Sequence, residues 1–538
     1  MSCKVTRVTE QPASQPSRRD LLSLIGAVAG GSAMYLAMTS LGFARESQYS
    51  GPIKLDGDPK GASVLILGAG VAGMVAALEL RRAGYKVQVL DYNTKPGGRT
   101  WTLRGGDRYT ELGGETQDCR FADGLYLNPG PWRIPYHHRG MLDYCKRLGV
   151  ALEPFIQVNH NAYLHSKNAF EAKPQRYRTV QADFHGVVSD LLAKAVNNDT
   201  LDQIVSKDDR ESLLASLRSF GGLNADYTYR TGPNASSRRG FDTPPGGGGG
   251  NAEPIDSVVN SSTDVLKSGL WRALAVAQDY DYQTTLFQPV GGMDMIAGAF
   301  AREVGDLIRQ NTKVTAIRQN DQGVSATWTD TITGEVGRSH ADWCLCTIPL
   351  SILSQIDMNV SASMADAIAA VPYAPGMKIG LQFKRRFWEQ DDAIYGGISY
   401  TDLPITQIAY PNSGYFNDGP GVLLGAYPFG PYAYEFTALP PAERIRKAVE
   451  WGAEIHPQYT AEFEHGMAVG WHRVPGAHGC YGQWSTEARA KHYKNLCALD
   501  GRILLAGEHA SYIPAWQEGA LLSSLDAITR LHERVMAR

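Results

Sequence analysis

Residues 63–73 read SVLILGAGVAG, and they are the most informative part of the chain for the class of fold. Its first five residues are mostly apolar and predict a short buried strand. Residues 74–82 predict a helix directly after the glycines, and residues 85–90 predict a second strand that ends at Asp91. The segment therefore predicts one complete β-α-β unit of a parallel sheet.

The glycine motif of this unit is typical of a dinucleotide site. Gly68 would make the tight turn, Gly70 would let the backbone approach a pyrophosphate, and Gly73 would let the helix pack closely. Asp91 stands 18 residues after Gly73, where it would accept from a ribose hydroxyl. The residues expected to bind the nucleotide are Gly68, Gly70, Val71, Ala72, Gly73, Asp91 and Tyr92. A purely structural glycine turn is the alternative, and the motif alone does not separate NAD from FAD.

Composition narrows the class of protein. The chain has 538 residues, of which 43% are hydrophobic and 20% charged, so it is neither wholly disordered nor collagen-like. The formal net charge is -3, whereas proteins that bind nucleic acids are generally basic. We therefore expect no nucleic-acid partner.

The first residues predict an export signal. Arg18 and Arg19 precede an apolar run over residues 21–43, and small residues follow at its end. This pattern is typical of a twin-arginine signal, which we place at residues 1–44, and it predicts a periplasmic or secreted protein with no stable membrane anchor after cleavage. A membrane anchor is the alternative.

The cysteines predict neither a metal site nor a disulfide scaffold. Cys344 and Cys346 are separated by one residue, which is not the usual spacing of a zinc pair. On a strand the two would share one face as small core residues. No metal-ligating cluster stands out, so we expect no metal.

The rest of the chain predicts alternating helical and strand-rich regions. Residues 141–215 are expected to be mostly helical. Residues 219–262, which include the five glycines 246–250, predict a loop or lid, or equally a floppy surface insertion. The later elements expected are strands over 314–317, 324–328, 343–347, 378–383 and 501–507, and helices over 440–455 and 520–536.

Residues 95–100, KPGGRT, resemble the extension that follows the dinucleotide unit in the flavin-containing amine oxidase family. The resemblance implies FAD, with Arg99 supporting the diphosphate. Further matches follow in the family's order over residues 60 to 535, at 288–293, 313–314, 506–509 and 515–520. They imply that Val314 touches adenine, that Glu508 holds a ribityl hydroxyl and that Trp516 borders the flavin ring.

The resemblance implies an α/β fold with a discontinuous Rossmann-like FAD-binding domain, a mixed-sheet substrate domain and a helical insertion. The expected boundaries are 60–135, 286–345 and 485–538 for the FAD-binding domain, 136–285 for the insertion and 346–484 for the substrate domain. The further FAD-binding residues implied are Gly98, Arg99, Gly130, Pro131, Trp132, Arg133, Val314, Gly507, Glu508, Trp516, Gln517, Glu518, Gly519 and Ala520.

Residues 128–135, NPGPWRIP, resemble the segment whose arginine binds the substrate carboxylate in L-amino-acid oxidases. A guanidinium matches a carboxylate in charge and geometry, which favours Arg133 in this role over a surface ion pair. Tyr410 is the expected second carboxylate contact, with Tyr415 in reserve; a packed strand aromatic is the alternative. With the export signal, the chain looks most like secreted bacterial L-amino-acid oxidases, and a homodimer is implied.

The same resemblance implies the remaining catalytic roles. Lys378 would hold a water near flavin N5 and stabilise the charge formed with oxygen. Trp516 and Tyr481 would form an aromatic cage, and Ala515 would border the substrate. His137, His138 and His165 lie in the plausible region, but no general base is assigned.

The implied reaction is oxidative deamination of an L-amino acid. Hydride transfer from the α-carbon to flavin N5 would give an imino acid, which water converts to a 2-oxo acid and ammonia, while O2 becomes hydrogen peroxide. The alternatives are an amine oxidase, an amino-acid 2-monooxygenase that forms an amide, and a non-catalytic FAD- or NAD-binding module.

Overall fold

The computed structural model describes residues 47–198, 206–250 and 253–537. The expected export signal at residues 1–44 lies outside these ranges. Within them, no helix combines the length and the apolar character needed to cross a membrane.

A five-stranded parallel sheet holds the predicted β-α-β unit at its centre. Every strand pairs in parallel with its neighbour, so the carboxyl ends of all five meet at one edge. In spatial order, the strands are Ile308–Arg309, Lys86–Leu90, Ser63–Leu67, Trp343–Cys346 and Ile503–Leu505. In such a sheet a ligand binds outside the carboxyl edge.

The helix of this unit, Val71–Arg82, begins three residues earlier than the sequence predicted. The glycines form its first turn, because a Cβ on Gly73 would stand 1.9 Å from the carbonyl oxygen of Gly68. Even a methyl side chain therefore does not fit between this helix and the strand before it. Gly84 closes the helix with a left-handed φ of +87°.

A seven-stranded mixed sheet forms the second layer. In spatial order, its strands are Gln175–Arg176, Tyr163–His165, Ile398–Thr401, Gln407–Ala409, Gly421–Ala426, Met377–Phe383 and Phe463–Gly470. All its pairings are antiparallel except that of Tyr163–His165 with Ile398–Thr401. Residues 141–215 are therefore less helical than predicted, because two of their short segments complete this sheet.

Smaller sheets connect the two layers. A four-stranded sheet contains Val336–Ala341, Gly323–Asp330, Thr312–Asn320 and Asp357–Met358, and a three-stranded one contains Ile134–Pro135, Leu286–Pro289 and Leu152–Phe155. The two-stranded pairs are Leu103–Arg104 with Tyr126–Leu127, Arg108–Thr110 with Thr116–Asp118, and Phe241–Thr243 with Ile255–Asp256.

Helices cover both layers and form most of the insertion. In chain order after the first, they are Arg139–Arg147, Tyr177–Asn197, Lys207–Gly221, Pro233–Arg239, Ser262–Lys267, Arg272–Ala275, Asp294–Val304, Leu350–Leu353, Ala362–Ala369, Phe387–Gln390, Pro431–Thr437, Pro441–Ala453, Tyr459–Glu462, Thr486–Cys497 and Gln517–Met536. The predicted helices over 440–455 and 520–536 are confirmed within a few residues.

The segment 219–262 is more ordered than the expected loop. It contains the helix Pro233–Arg239, and Arg239 is buried, where it forms an ion pair with the fully buried Asp183 of the helix Tyr177–Asn197. A buried charge pair needs fixed geometry, so this part of the segment is anchored to the insertion.

The predicted placement of Cys344 and Cys346 on one face of a strand is confirmed. Cys344 and Cys346 are fully buried on one face of their strand, and Leu345 packs on the opposite face. The six cysteines in the described part of the chain are all free thiols.

A buried ion pair joins Glu111, which follows the strand Arg108–Thr110, to Arg444 of the helix Pro441–Ala453. The guanidinium of Arg444 donates two bonds of 2.7 Å to the carboxylate of Glu111, and both side chains are 1% exposed. Arg444 also donates to the carbonyl oxygens of Phe436 and Leu439. Such a pair contributes strongly only while both partners are present.

We predict that Glu111→Gln destabilises the protein by about 3–5 kcal/mol, because Arg444 then remains buried with its charge uncompensated. Denaturant unfolding of the purified protein measures the change. Glu443→Gln removes an exposed partner of Arg446 and should leave stability nearly unchanged. Equal losses in the two variants would contradict this role of the buried pair.

Candidate active site

One cavity of about 650 Å³ lies at the carboxyl edge of the parallel sheet. Gly68, Asp91, Thr347 and Gly507 line it from successive strand ends, and residues near the seven-stranded sheet close it from the other side. The predicted residues that line the cavity are Gly68, Gly70, Val71, Ala72, Asp91, Tyr92, Gly98, Arg99, Gly130, Pro131, Trp132, Arg133, Val314, Tyr481, Gly507, Glu508, Ala515, Trp516, Gln517 and Ala520.

The glycine loop presents free backbone donors to this cavity. The helix Val71–Arg82 begins at Gly70 with no side-chain cap and with no acidic residue in its first turn. Val71 and Ala72 line the cavity there. Uncapped N–H groups at a helix N-terminus form a site for a phosphate anion, so this end fits a pyrophosphate.

Asp91 is held rigidly beside the loop. Its carboxylate accepts from the backbone N–H of Ala69 at 2.5 Å and from that of Asn93 at 2.8 Å. Burial raises the pKa of Asp91, and the two amide donors act against that rise. The carboxylate therefore fixes the backbone of the turn through Ala69 and Asn93. It also lines the cavity, where it could accept a hydrogen bond from a ribose hydroxyl.

An ion pair between Arg99 and Glu508 connects the start and the end of the chain at the cavity. Arg99 donates to the Glu508 carboxylate at 2.7 Å and to the carbonyl oxygen of Cys480 at 2.9 Å. Glu508 also accepts from the backbone N–H groups of Gly482 and Ala515. Burial lowers the pKa of Arg99, but the Glu508 charge, the nearby Tyr373 hydroxyl and the hydrogen bond to Glu508 together outweigh that effect and raise it. The Glu508 carboxylate, which is predicted to contact the ribityl chain, thus already joins the segments that contain Arg99, Gly482 and Ala515.

Gly130 allows the segments 128–135 and 95–100 to lie in contact. A Cβ at this position would stand 2.0 Å from the carbonyl oxygen of Arg99 and 3.3 Å from the Trp471 ring. The Trp471 indole N–H donates to the carbonyl oxygen of Pro129 at 2.7 Å. Only glycine lets the segment 128–135 lie this close to the segment 95–100.

Arg133 lies at the cavity wall, inside a set of aromatic rings. Its side chain is only 5% exposed. The guanidinium carbon lies 4.5 Å from the Tyr282 ring centre, 5.0 Å from that of Trp132 and 5.9 Å from that of Trp516. Ring faces stabilise the cation and exclude water, which strengthens its attraction for an anionic group.

Two aromatic residues expected to form a cage both reach the cavity. Trp516 follows Ala515, which lines the cavity with a left-handed φ of +70°. Tyr481 lines it as well, and its ring centre lies 6.5 Å from that of Phe429. The residues before Tyr481, although irregular in sequence, thus bring an aromatic side chain to the cavity.

The structure corrects the expected position of Tyr410. Its hydroxyl bonds to Ser399 at 2.7 Å and to His456 at 2.6 Å in the core of the second layer, away from the cavity. Side chains alternate along a strand, and the preceding Ala409 faces the other way, where it packs near Leu424. Tyr415 does not line the cavity either, whereas Tyr427 does.

The structure also corrects the position of Lys378. This side chain is fully buried, and its ammonium donates to the carbonyl oxygens of Asn128 and Gly130 at 3.1 and 2.5 Å. It lies 4.6 Å from the ring centres of both Trp132 and Tyr427, behind the cavity wall. Burial lowers the pKa of Lys378 well below its ordinary value. In this structure the lysine holds the segment that carries Arg133, instead of facing the cavity.

Three other predicted residues do not line the cavity. Gly73 packs against the strand, as described above. Glu518 is fully buried and accepts from the backbone N–H groups of Gly140 and Met141, so it caps another helix. Gly519 lies against the backbone of Ile513, because a Cβ there would be 2.1 Å from its carbonyl oxygen. The roles of all three are structural, and Glu518 and Gly519 face inward because they lie in the first turn of the closing helix Gln517–Met536.

Several cavity residues had no signal in the sequence. They include Leu112, Ile352, Tyr427, Phe429 and Trp471. His138, which the sequence analysis placed in the plausible region, also lines the cavity. Burial lowers the pKa of His138 well below its ordinary value. His165 lies elsewhere, bonded to Thr401 at 2.8 Å. A short motif cannot indicate these residues, since sheet register and loop closure place them at the cavity.

The residues present fit a flavin dinucleotide. The uncapped helix start suits the pyrophosphate, Asp91 and Val314 border the nucleotide end, and the Arg99–Glu508 pair lies along the path toward Trp516. A Cβ on Gly68 would stand 2.6 Å from the Thr347 hydroxyl oxygen, whereas a Cβ on Gly70 would meet no protein atom within 4 Å, which leaves space for a ligand at the helix start.

The comparisons agree with this geometry. The model of the family "flavin containing amine oxidoreductase" matches residues 71–531. An L-amino-acid oxidase from Siganus canaliculatus is 27% identical over 484 residues, covering 88% of this chain and 86% of the relative. A putative L-amino-acid oxidase, YobN, from Bacillus subtilis strain 168 is 27% identical over 481 residues, covering 86% and 93%.

Solved structures support the fold. Wild-type putrescine oxidase bound to putrescine superimposes with a TM-score of 0.58 at 18% identity, covering 89% of this chain and 99% of the other. Cyclohexylamine oxidase from Brevibacterium oxydans IH-35A gives a TM-score of 0.58 at 16% identity, covering 88% and 100%. At these identities the similarity establishes the architecture alone.

We predict that Gly130→Ala loses bound FAD, because the new Cβ collides with the Arg99 carbonyl oxygen and separates the two loops. The ratio of flavin to protein absorbance in the purified protein measures retention. Gly298→Ala is the matched control, since its Cβ meets nothing within 4 Å and the change favours the helix Asp294–Val304. Full flavin content in Gly130→Ala would contradict the close approach.

We also predict that stability falls as pH drops from about 6.5 to 4. Burial lowers the pKa of His509 from 6.5 to about 4, so between these values the unfolded chain binds a proton that the folded protein does not. Each pH unit in this window costs up to about 1.4 kcal/mol for this group.

Thermal unfolding of wild type and His509→Gln across this range tests the effect. The variant keeps a polar partner for the Tyr373 hydroxyl, which lies 3.0 Å from His509 Nδ1, and should show a shallower loss. His340→Gln changes an exposed histidine and should follow wild type. Parallel curves for all three proteins would refute the assignment.

Proposed function

The chain belongs to the family of flavin-containing amine oxidoreductases, and we propose that it oxidises L-amino acids. The products are a 2-oxo acid, ammonia and hydrogen peroxide, formed from the amino acid, water and O2. FAD, when bound, supplies the two-electron acceptor for the substrate Cα–H bond and passes the electrons to O2. The names of the relatives from Siganus canaliculatus and Bacillus subtilis support this activity.

One observation carries the proposal: Arg133 places a buried guanidinium at the cavity wall beside Trp516. An amine without a carboxylate has no use for a second cation near its own ammonium. A carboxylate, in contrast, gains a charge-assisted contact that water does not weaken. Arg133 therefore selects the zwitterion and fixes the orientation of its α-carbon.

The aromatic wall controls the state of the amino group. Trp516 and Tyr481 line the cavity, and these rings replace water around the substrate. Loss of water lowers the pKa of an ammonium, so the amine becomes neutral before its C–H bond is oxidised.

Tyr427 takes the place that the sequence assigned to Tyr410. Its ring lines the cavity and packs against Trp132, with the ring centres 5.5 Å apart, next to the residue that carries the guanidinium. A phenol at this position can donate to the second oxygen of the substrate carboxylate.

Different segments of the chain have different roles in this proposal. We propose that residues 60–135, 286–345 and 485–538 bind FAD and that residues 346–484 form the substrate side. The strands Tyr163–His165 and Gln175–Arg176, from the 136–285 insertion, extend that substrate side because they lie in its sheet.

We predict that Arg133→Ala lowers the affinity for L-amino acids roughly 100-fold, because the charged hydrogen bonds to the substrate carboxylate are lost. Flavin reduction should then require correspondingly higher amino-acid concentrations. Tyr427→Phe should cost roughly tenfold, since one hydrogen bond is lost. Anaerobic titration with a panel of L- and D-amino acids, followed by flavin absorbance, measures both.

Tyr410→Phe is the matched control for Tyr427→Phe. It removes a buried hydroxyl bonded to Ser399 and His456, so it should lower stability and leave substrate affinity unchanged. Unchanged affinity in Arg133→Ala, or a 2-oxo acid replaced by an amide among the products, would overturn the proposed reaction.

We further propose that the chain is exported through the twin-arginine route and works as a homodimer. The Arg18-Arg19 pair before the apolar run supports export, and the resemblance to secreted bacterial oxidases supports both statements. A double Arg18→Lys, Arg19→Lys variant should stay in the cytoplasm of a host that exports the wild type. Light scattering should give twice the mass of the mature chain. Export of the double variant or a monomeric mass would contradict the respective statement.

A further inference from the structure

A buried cluster of His137, His138 and Asp281 lies next to the aromatic wall. The two histidines directly precede the helix Arg139–Arg147, and Asp281 belongs to the 3-10 turn Tyr280–Tyr282. The three residues are only 1–2% exposed. One nitrogen from each histidine and one oxygen of Asp281 all lie within 4.8 Å of one another.

The polar atoms of this cluster converge without bonding to each other. Four of them are buried and have no hydrogen-bond partner among the described residues: His137 Nδ1 and Nε2, His138 Nε2 and Asp281 Oδ1. A buried polar atom without a partner costs about 1–3 kcal/mol. One atom from each of the three residues lies in the same small space, so an occupant that binds all three at once would remove most of this cost.

The other buried histidine–aspartate pair shows that this fold can satisfy such groups. His456 Nδ1 lies 3.0 Å from Asp392 Oδ2, and His456 Nε2 lies 2.6 Å from the Tyr410 hydroxyl. Both ring nitrogens there have partners in bonding geometry. In the His137–His138–Asp281 cluster, His137 Nε2 lies 3.3 Å from Asp281 Oδ1, but the geometry is not that of a hydrogen bond.

The donor set fits a borderline divalent cation. Two imidazoles and one carboxylate are ligands of zinc, which binds them at about 2.0–2.2 Å in a tetrahedron. Neighbouring donors of such a tetrahedron lie roughly 3.3–3.4 Å apart. The His137–Asp281 separation of 3.3 Å matches this edge, and His138 closes the set with a shift of its ring.

Nearby groups support a positive charge at this position. Glu518, fully buried, accepts from the N–H groups of Gly140 and Met141 in the turn that follows the two histidines. The Glu518 carboxylate is close enough to His137 for the two charges to interact. The Tyr280 ring stacks on His137 with centres 4.3 Å apart and fixes its orientation.

We propose that His137, His138 and Asp281 bind one Zn²⁺ ion that holds the wall of the cavity in place. The edge of the His138 ring contacts Trp516, with centres 5.0 Å apart, and Tyr282 next to Asp281 contacts Arg133. The ion thus joins the segment 128–138 to the turn 280–282 behind both cavity residues. Its role is structural, and it does not depend on the proposed substrate.

Metal analysis of the flavin-loaded protein tests the site. Protein produced with Zn²⁺ in the medium, then dialysed, should retain about one zinc per chain. Asp281→Asn should lose the zinc, because a neutral amide is a poor ligand, whereas the matched control Asp392→Asn should keep it. Replacement by Co²⁺ should add the visible bands of a tetrahedral cobalt site at wavelengths beyond those of oxidised flavin.

A second measurement on wild type covers the case in which Asp281→Asn does not fold. A strong chelator should lower the unfolding temperature, and Zn²⁺ but not Mg²⁺ should restore it. Zinc at background level in folded, flavin-loaded wild type would mean that a water molecule occupies the cluster, and it would overturn the proposal. Equal zinc in Asp281→Asn and wild type would do the same. Neither readout uses turnover, so this result is separate from that of the proposed activity.

Discussion

The ion pair between Arg99 and Glu508 is the interaction on which the cavity depends. It joins a loop near the first strand to a turn near the last one, which are 409 residues apart in sequence. The Glu508 carboxylate also receives the N–H groups of Gly482 and Ala515, so it fixes the residues just before Trp516 and just after Tyr481. A single buried carboxylate thus sets the positions of both aromatic residues relative to the nucleotide loop.

The substrate side rests on a second set of contacts, centred on the segment 128–135. Lys378 and Trp471 hold its backbone carbonyl groups, and Gly130 lets it lie against Arg99. Arg133 projects from this fixed segment into the aromatic rings. The guanidinium is therefore preorganised, and binding a carboxylate requires little ordering of the protein.

The sequence predicted those parts that depend on local pattern. The β-α-β unit follows from the apolar run and the glycine spacing of residues 63–73, and the structure confirms its elements within a few residues. Arg133 and Trp516 could also be placed at one cavity, because each lies in a contiguous motif of a recognisable family.

The parts that depend on register could not be predicted. Tyr410 and Ala409 are adjacent and both buried, and the alternation of side chains decides which of two hydrophobic clusters each one joins. Lys378 lies on a strand buried on both faces, so its charge gave no signal of direction. The proposed His137–His138–Asp281 site brings together residues 143 positions apart, which no spacing rule connects.

The central claim is that the cavity recognises a carboxylate beside the amine. The most direct test compares anaerobic flavin reduction by each active L-amino acid with reduction by the amine that remains after its carboxylate is removed. We expect the amino acid to reduce the flavin at least roughly 100-fold more efficiently, since only it can pair with Arg133. Equal or faster reduction by the amine would contradict it.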